Sequence, residues 1–274
     1  MKRKKRIKWN NIILFIVIII FILIFSFSLI NIIKWKLDSD HTHKEVNNIN
    51  DSVKIEEVED NENTEIVEQE EIDEFNPYWD YIKMNLINVD FNELKKKNDE
   101  TAGWIQVSGT NINYPFVHTK DNAYYLTHSF DKSYNNAGWV FLDYRNDVDV
   151  FNRNNIIYAH GRLDQIMFGS LKNILNNGWL ENTNNYVVKL STENENTLWQ
   201  VFSVYRIPTT NDYLKISFIN DNEFLDFANM LKKRSQYNFN TNLLPSDKII
   251  TLSTCYNDSD KFVLHAKLIK KERR

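Results

Sequence analysis

From Ile12 to Phe25 every side chain is apolar, and after Ser26, Phe27 and Ser28 the run resumes with Leu29 and Ile30. About 19 helical residues at ~1.5 Å each cover the ~30 Å hydrocarbon core of a bilayer. The run is too long for the apolar part of a signal peptide, and bulky Ile32, Ile33, Trp35 and Leu37 follow where small residues would mark cleavage. The pattern predicts an uncleaved membrane anchor over 12–33. Residues 1–11, with Lys2, Arg3, Lys4, Lys5, Arg6 and Lys8, are then a cytoplasmic tail, and the rest of the chain is extracellular.

Beyond residue 75 the periodicity changes twice. Asn76-Pro77 opens a helical stretch from Tyr78 to Ile87, and a second runs from Asp90 to Asn98 with Phe91 and Leu94 on one face. From Gly103 onward, short apolar runs alternate with turns such as Ser108-Gly109-Thr110-Asn111 and Asn135-Asn136-Ala137-Gly138. The predicted strands are Trp104–Val107, Ile112–Val117, Trp139–Leu142, Asn155–Tyr158, Tyr186–Leu190, Leu198–Ile207, Lys248–Ser253 and Lys261–Ile269. Helices are predicted over Ile166–Leu175 and Asp221–Arg234; the second groups Phe224, Leu225, Phe227, Ala228 and Leu231. Many short strands with inserted helices predict a mainly β chain, a closed or nearly closed barrel with peripheral helices.

Charge separates the barrel from what precedes it. Residues 34–74 carry Glu56, Glu57, Glu59, Asp60, Glu62, Glu65, Glu68, Glu70, Glu71, Asp73 and Glu74, with few cations and no aromatic residue after Trp35. Such a segment buries too little apolar surface to offset chain entropy, so it is expected to be a disordered or weakly helical stalk. The formal net charge of −4 belongs largely to it. The near-neutral remainder, 75–274, argues against nucleic acid as a partner and is long enough for one well-packed domain.

The chain has one cysteine, so no internal disulfide can form, and Cys255 is either inert core or a reactive thiol. It ends the run Thr251-Leu252-Ser253-Thr254-Cys255 and precedes a loop, Tyr256-Asn257-Asp258-Ser259-Asp260, which favours access. His160 ends another strand and is followed by Gly161, where the backbone can turn and leave the imidazole exposed. A thiol nucleophile and an imidazole proton carrier need only the fold to bring them together. Lys261 emerges beside the cysteine loop, as a carbonyl-binding cation or as a solvent-facing lysine. His118, His128, His160 and Cys255 lack the short spacing of a zinc site.

These residues give the chain a resemblance to the sortases, and within them to class B. Thr251-Leu252-Ser253-Thr254-Cys255 and Phe262-Val263-Leu264-His265-Ala266-Lys267-Leu268 carry it most strongly. Asn155-Ile156-Ile157-Tyr158-Ala159-His160-Gly161, Met167-Phe168, Gly103-Trp104-Ile105, Asn113-Tyr114-Pro115 and Asp121-Asn122-Ala123-Tyr124-Tyr125-Leu126 extend it across the outer domain. The resemblance implies an eight-stranded barrel with N-terminal helices and a long inserted helix, behind one transmembrane helix. It implies a membrane-anchored cysteine transpeptidase of the hydrolase/acyltransferase type. That enzyme cleaves a C-terminal sorting signal of a surface protein after Thr, and passes the acyl group to a peptidoglycan precursor or another amine acceptor.

Carried over by position, the nucleophile is Cys255 and the general acid/base His160, with Asn122, Tyr158 and Ser253 bordering the substrate groove. No metal or organic cofactor is implied. The family's third catalytic group is an arginine, and Lys261 stands at its position, with Arg162 and Arg206 as other sources of a guanidinium. Lysine keeps the charge but loses the planar fork that holds two carbonyls. The alternatives are a weakened module that binds sorting peptides and a cysteine endopeptidase of the same fold.

Overall fold

Runs of β-branched and aromatic residues separated by Asn, Asp and Gly become strands because their stiff side chains suit a pleated, half-buried surface. The computed structural model describes residues 9–67, 73–255 and 259–274, with Cys255 described by its backbone; the predicted basic tail lies largely outside them. In chain order the elements are α1 (Trp9–Ser52), β1 (Ile55–Val58), β2 (Thr64–Ile66), α2 (Tyr78–Tyr81), β3 (Leu86–Val89) and α3 (Asn92–Lys97). Then come β4 (Thr101–Val107), β5 (Asn113–His118), β6 (Phe141–Leu142), β7 (Asn154–Tyr158), α4 (Asn177–Leu180) and β8 (Val187–Ser191). The chain ends with β9 (Glu195–Pro208), α5 (Asp221–Arg234), β10 (Ile249–Cys255) and β11 (Asp260–Arg273).

Among the described residues eight strands close a barrel in the order β10–β7–β6–β5–β4–β8–β9–β11, and β11 pairs back onto β10. Neighbours are antiparallel except for β5 with β6 and β7 with β10. Closure leaves no free edge, and β2 adds to the outer half of β11. The barrel interior is filled by large side chains, among them Trp104, Phe116, Trp139 and Trp199, all at 2 % exposure or less.

A second apolar cluster forms where α5 lays Phe224, Phe227, Ala228 and Leu231 against Phe202, Tyr205, Tyr213 and Val263. This helix has the boundaries its periodicity predicts. Asn220 caps it by accepting the Glu223 N–H at 2.9 Å, and Lys232, Lys233 and Arg234 close its C-terminal end, where cations suit the helix dipole.

Three expectations are corrected. The helix expected over Tyr78–Ile87 stops at Tyr81, and Leu86–Val89 is a strand, because β1 supplies an antiparallel partner with Ile55 opposite Val89 and Glu57 opposite Ile87. The helix expected over Ile166–Leu175 is a 3-10 segment from Gly169, since positive φ at Gln165 and Met167 folds the preceding residues back onto His160. The segment expected to be a disordered or weakly helical stalk is ordered over its described residues: it continues α1 to Ser52 and then forms β1 and β2.

Its acidic side chains find partners that a charge count does not reveal. Lys270, whose side chain is fully buried, binds Asp60 at 2.6 Å, Lys271 meets Glu65 at 3.1 Å, and Asn61 donates to Glu272. Ile49 supplies a buried apolar anchor. The stretch of α1 from Ile12 to Ile33 is largely apolar and exposed, long enough to cross a membrane.

Candidate active site

The parallel pairing of β7 with β10 sets the site. Tyr158 lies opposite Ser253, so both strands run out in the same direction, two residues before His160 and Cys255 respectively. Adjacent strands are ~4.8 Å apart, which brings the two strand ends together on one rim of the barrel. The antiparallel hairpin of β10 and β11 then places Lys261 directly across from Cys255. Residues about 95 apart in sequence therefore meet through register alone. The loop 256–258 lies outside the described residues.

A groove of about 300 Å³ opens at this rim. His160, Lys261, Tyr158, Asn122 and Ser253 line it, together with Thr254, Leu126, Phe141 and a wall formed by Thr209, Thr210, Asn211, Tyr213 and Leu214. All the site residues expected from sequence whose side chains are described thus border one cavity.

His160 Nε2 lies 2.8 Å from the Leu126 carbonyl oxygen. A carbonyl only accepts, so the neutral ring carries its proton on Nε2 and keeps the Nδ1 lone pair available. Gly138 makes this close approach possible: its φ is +62°, and a Cβ there would sit 2.5 Å from the Tyr125 carbonyl and 3.0 Å from His160 Cδ2. The Phe168 N–H donates to the His160 carbonyl at 3.1 Å, which fixes the backbone on the other side.

The polar residues bordering the groove are held from below by one buried carboxylate. Asp143 accepts from Arg145 Nε and Nη2, both at 2.8 Å, from the Tyr158 hydroxyl at 2.9 Å and from Asn122 Nδ2 at 3.0 Å. Burial works to raise its pKa, but the Arg145 guanidinium and the other donors outweigh it and hold the carboxyl below the ordinary carboxylate range. Burial and the Asp143 charge push the Tyr158 hydroxyl well up, so it stays a neutral donor. Asn122 also accepts the Tyr144 N–H at 2.9 Å. Asn122 and Tyr158 therefore shape the groove with their flanks while their polar ends face inward.

The opposite wall is braced just as closely. Tyr213 meets Ser253 at 3.0 Å, Asn154 donates to the Tyr213 and Lys215 carbonyls, and Arg145 donates to that of Leu214. Arg234 grips Asp212 with two donors. Sequence reasoning missed this wall, Asp143, Arg145 and Thr254; the loop composition around Asn211-Asp212 was the one available signal.

Neither alternative arginine reaches the groove. Arg162 is buried and bound through Nε and Nη2 to Asp164, and Arg206 pairs with Asp260. Among the described residues, Lys261 is the cation lining the cavity.

No family model matches the chain. Sortase B of Staphylococcus aureus is 34% identical over 184 residues, which cover 66% of this chain and 75% of that protein. The crystal structure of a Bacillus anthracis protein similar to sortase B superposes with a TM-score of 0.64 at 35% identity, covering 83% of this chain and 94% of that one. A complex of Staphylococcus aureus sortase B with substrate gives 0.61 at 34% identity, over 66% and 84% of the two chains.

Proposed function

The chain belongs to the sortase B family of cysteine transpeptidases, and from that premise we propose that it joins a sorting-signal peptide to an amine through an acyl-enzyme on Cys255. The Cys255 thiolate attacks the threonine carbonyl of the signal, forming the S–C bond. As the peptide C–N bond breaks, protonated His160 gives its proton to the departing amine. The acceptor amine then attacks the thioester, its proton passes to His160, and the thiolate leaves. Lys261 supplies positive charge for the oxygen that becomes anionic in both steps. The observation that carries this reading is the register: Ser253 opposite Tyr158 and Cys255 opposite Lys261, at one rim, beside a groove that His160 borders.

The acceptor in this reading is a peptidoglycan precursor or a comparable amine, and the donor a surface protein with an Asn-Pro-x-Thr-x signal. Residues 12–33 span the membrane with the barrel outside, consistent with the apolar length of α1.

The test uses the chain from Lys34 onward, which keeps the helix segment and the two strands that pack on the barrel. It is mixed with Asn-Pro-x-Thr-x peptides, with and without triglycine, and followed by intact-mass spectrometry. A thioester adduct that Cys255→Ala abolishes, together with a ligated product, is expected. Adduct and hydrolysis without ligation would make the protein an endopeptidase. Peptide binding with no adduct would make it a binding module, a reading that the lysine at position 261 specifically motivates.

A further inference from the structure

We propose that the barrel is seated on the membrane surface, with the Arg162–Asp164 turn and its exposed Leu163 in the lipid interface, instead of standing off the membrane on a tether. The inference rests on the proposed membrane-spanning reading of residues 12–33. Its first support is that α1 runs unbroken from Trp9 to Ser52, out of the apolar stretch and onto the barrel. No hinge separates anchor from domain, so the contacts along the outer part of the helix fix the barrel's height.

Those contacts begin immediately past the apolar run. The Arg162 guanidinium lies over the Trp35 ring, 5.6 Å from its centroid. Ser39, one turn on and on the same helix face, donates to Asp164 at 2.7 Å. Asp38 and Thr42 receive the side chains of Asn135 and Asn136, and Glu45 accepts the Asp131 N–H at 2.7 Å. At ~1.5 Å per residue, Trp35 and Ser39 lie roughly 3 and 9 Å beyond Ile33, the last apolar residue of the anchor. The polar zone on each side of the hydrocarbon is about 5–8 Å thick. The turn bound between Trp35 and Ser39 therefore spans that zone, centred about 6 Å out, and a tilted helix brings it closer still.

The residue at the centre of that turn is Leu163, 81 % exposed between two side chains that are turned onto the helix. A large apolar side chain held at interfacial depth, beside a tryptophan, matches the chemistry of a lipid surface. His160 is two residues before Arg162, where the turn begins, at most about 7 Å along the chain. The groove is thereby held within a short distance of the bilayer, where it would meet substrates that are themselves membrane-borne.

The test uses the full chain carrying Cys255→Ala, reconstituted into phosphatidylcholine–phosphatidylglycerol vesicles, with one environment-sensitive fluorophore attached at a single introduced cysteine. Leu163→Cys reports the turn and Ile20→Cys the anchor. Lys96→Cys reports the barrel end beside Lys97, which donates to Ser52 about 25 Å farther along the helix. The label at 163 is expected to be quenched several-fold more by nitroxide lipids with a shallow spin label than the label at 96, and to be shielded from aqueous iodide. If the label at 20 responds to deep nitroxides while the label at 163 behaves like that at 96, the seating is wrong and the anchor stands. Shielding of 163 from both quenchers would assign the turn to a protein contact and overturn the proposal. A label at 20 open to iodide would overturn the membrane-spanning reading itself, and the seating with it.

Discussion

Replacing Asp143 with asparagine tests the bracing of the groove at its most loaded point. The side chain is fully buried, and five donors converge on it: Arg145 through its backbone N–H, Nε and Nη2, the Tyr158 hydroxyl and Asn122 Nδ2. An amide offers one acceptor oxygen where the carboxylate offers two, and its NH2 must face at least one of those donors. Breaking a buried ion pair from one side costs about 3–5 kcal/mol. Arg145 is 36% exposed and can regain water, which places the expected loss near the lower end, about 3 kcal/mol. Urea unfolding at pH 7 of the chain from Lys34 measures it.

The pH dependence provides an independent check. The folded carboxyl is held below its unfolded pKa, so its stabilisation is complete above that value and disappears as pH falls through the lower, folded one. The difference between parent and variant should therefore narrow below about pH 4. A loss under about 1 kcal/mol, or a difference that does not change with pH, would refute the account of Asp143 as the charged hub beneath the groove.

Other parts of the molecule yield equally concrete expectations. His265 is fully buried, and burial, with Arg234 adding to it, lowers its pKa to about 3. It stays neutral in the fold, donating through Nδ1 to Thr251 and accepting at Nε2 from Tyr205. Below pH 6.5 the unfolded chain binds a proton that the fold refuses, so stability should fall by about 1.4 kcal/mol per unit, a slope that His265→Asn removes in urea titrations between pH 7 and 4. Lys267→Met strands the buried Asp247 carboxylate and should cost about 3–5 kcal/mol; adding Asp247→Leu should restore much of it, as read by urea midpoints. Ser39→Ala removes the donor to Asp164 and should lower stability by about 1–2 kcal/mol in thermal unfolding of the chain from Lys34.

The eight barrel strands were legible because each contains an apolar or alternating run bounded by residues that break strands, and each was expected within a few residues of where it lies. Helix α5 was legible because one face carries nearly all its apolar residues. Leu86–Val89 was not, since a strand next to a short helix declares itself only through its partner, and that partner sits among acidic residues that mask Ile55 and Val58. The strand order within the acidic segment was hidden for the same reason: cations that pair with it lie some 200 residues away on β11. At the site, strand-end positions marked His160, Cys255 and Lys261. Asp143 could not be marked, because its importance arises from its neighbour Arg145 together with Asn122 and Tyr158, donors on segments that converge only in the folded chain.

The position of Lys261 acquires its meaning from this bracing. A lysine brings one mobile point charge where an arginine would bring a fixed fork, so the geometry that a guanidinium imposes on two carbonyls must come from elsewhere. Around this groove it has other sources. One wall is tied by Asp143, the other by Ser253, Asn154, Arg145 and Arg234, and His160 is clamped on both sides by Leu126 and Phe168. In the proposed reaction, walls tied in this way would orient the substrate by shape, and Lys261 would then need to supply only charge at the developing oxyanion. Arg162 and Arg206 are each paired with a carboxylate, Arg162 with the Asp164 that also accepts from Ser39 of α1 and Arg206 with Asp260 at the start of β11, so moving either into the groove would break that pair.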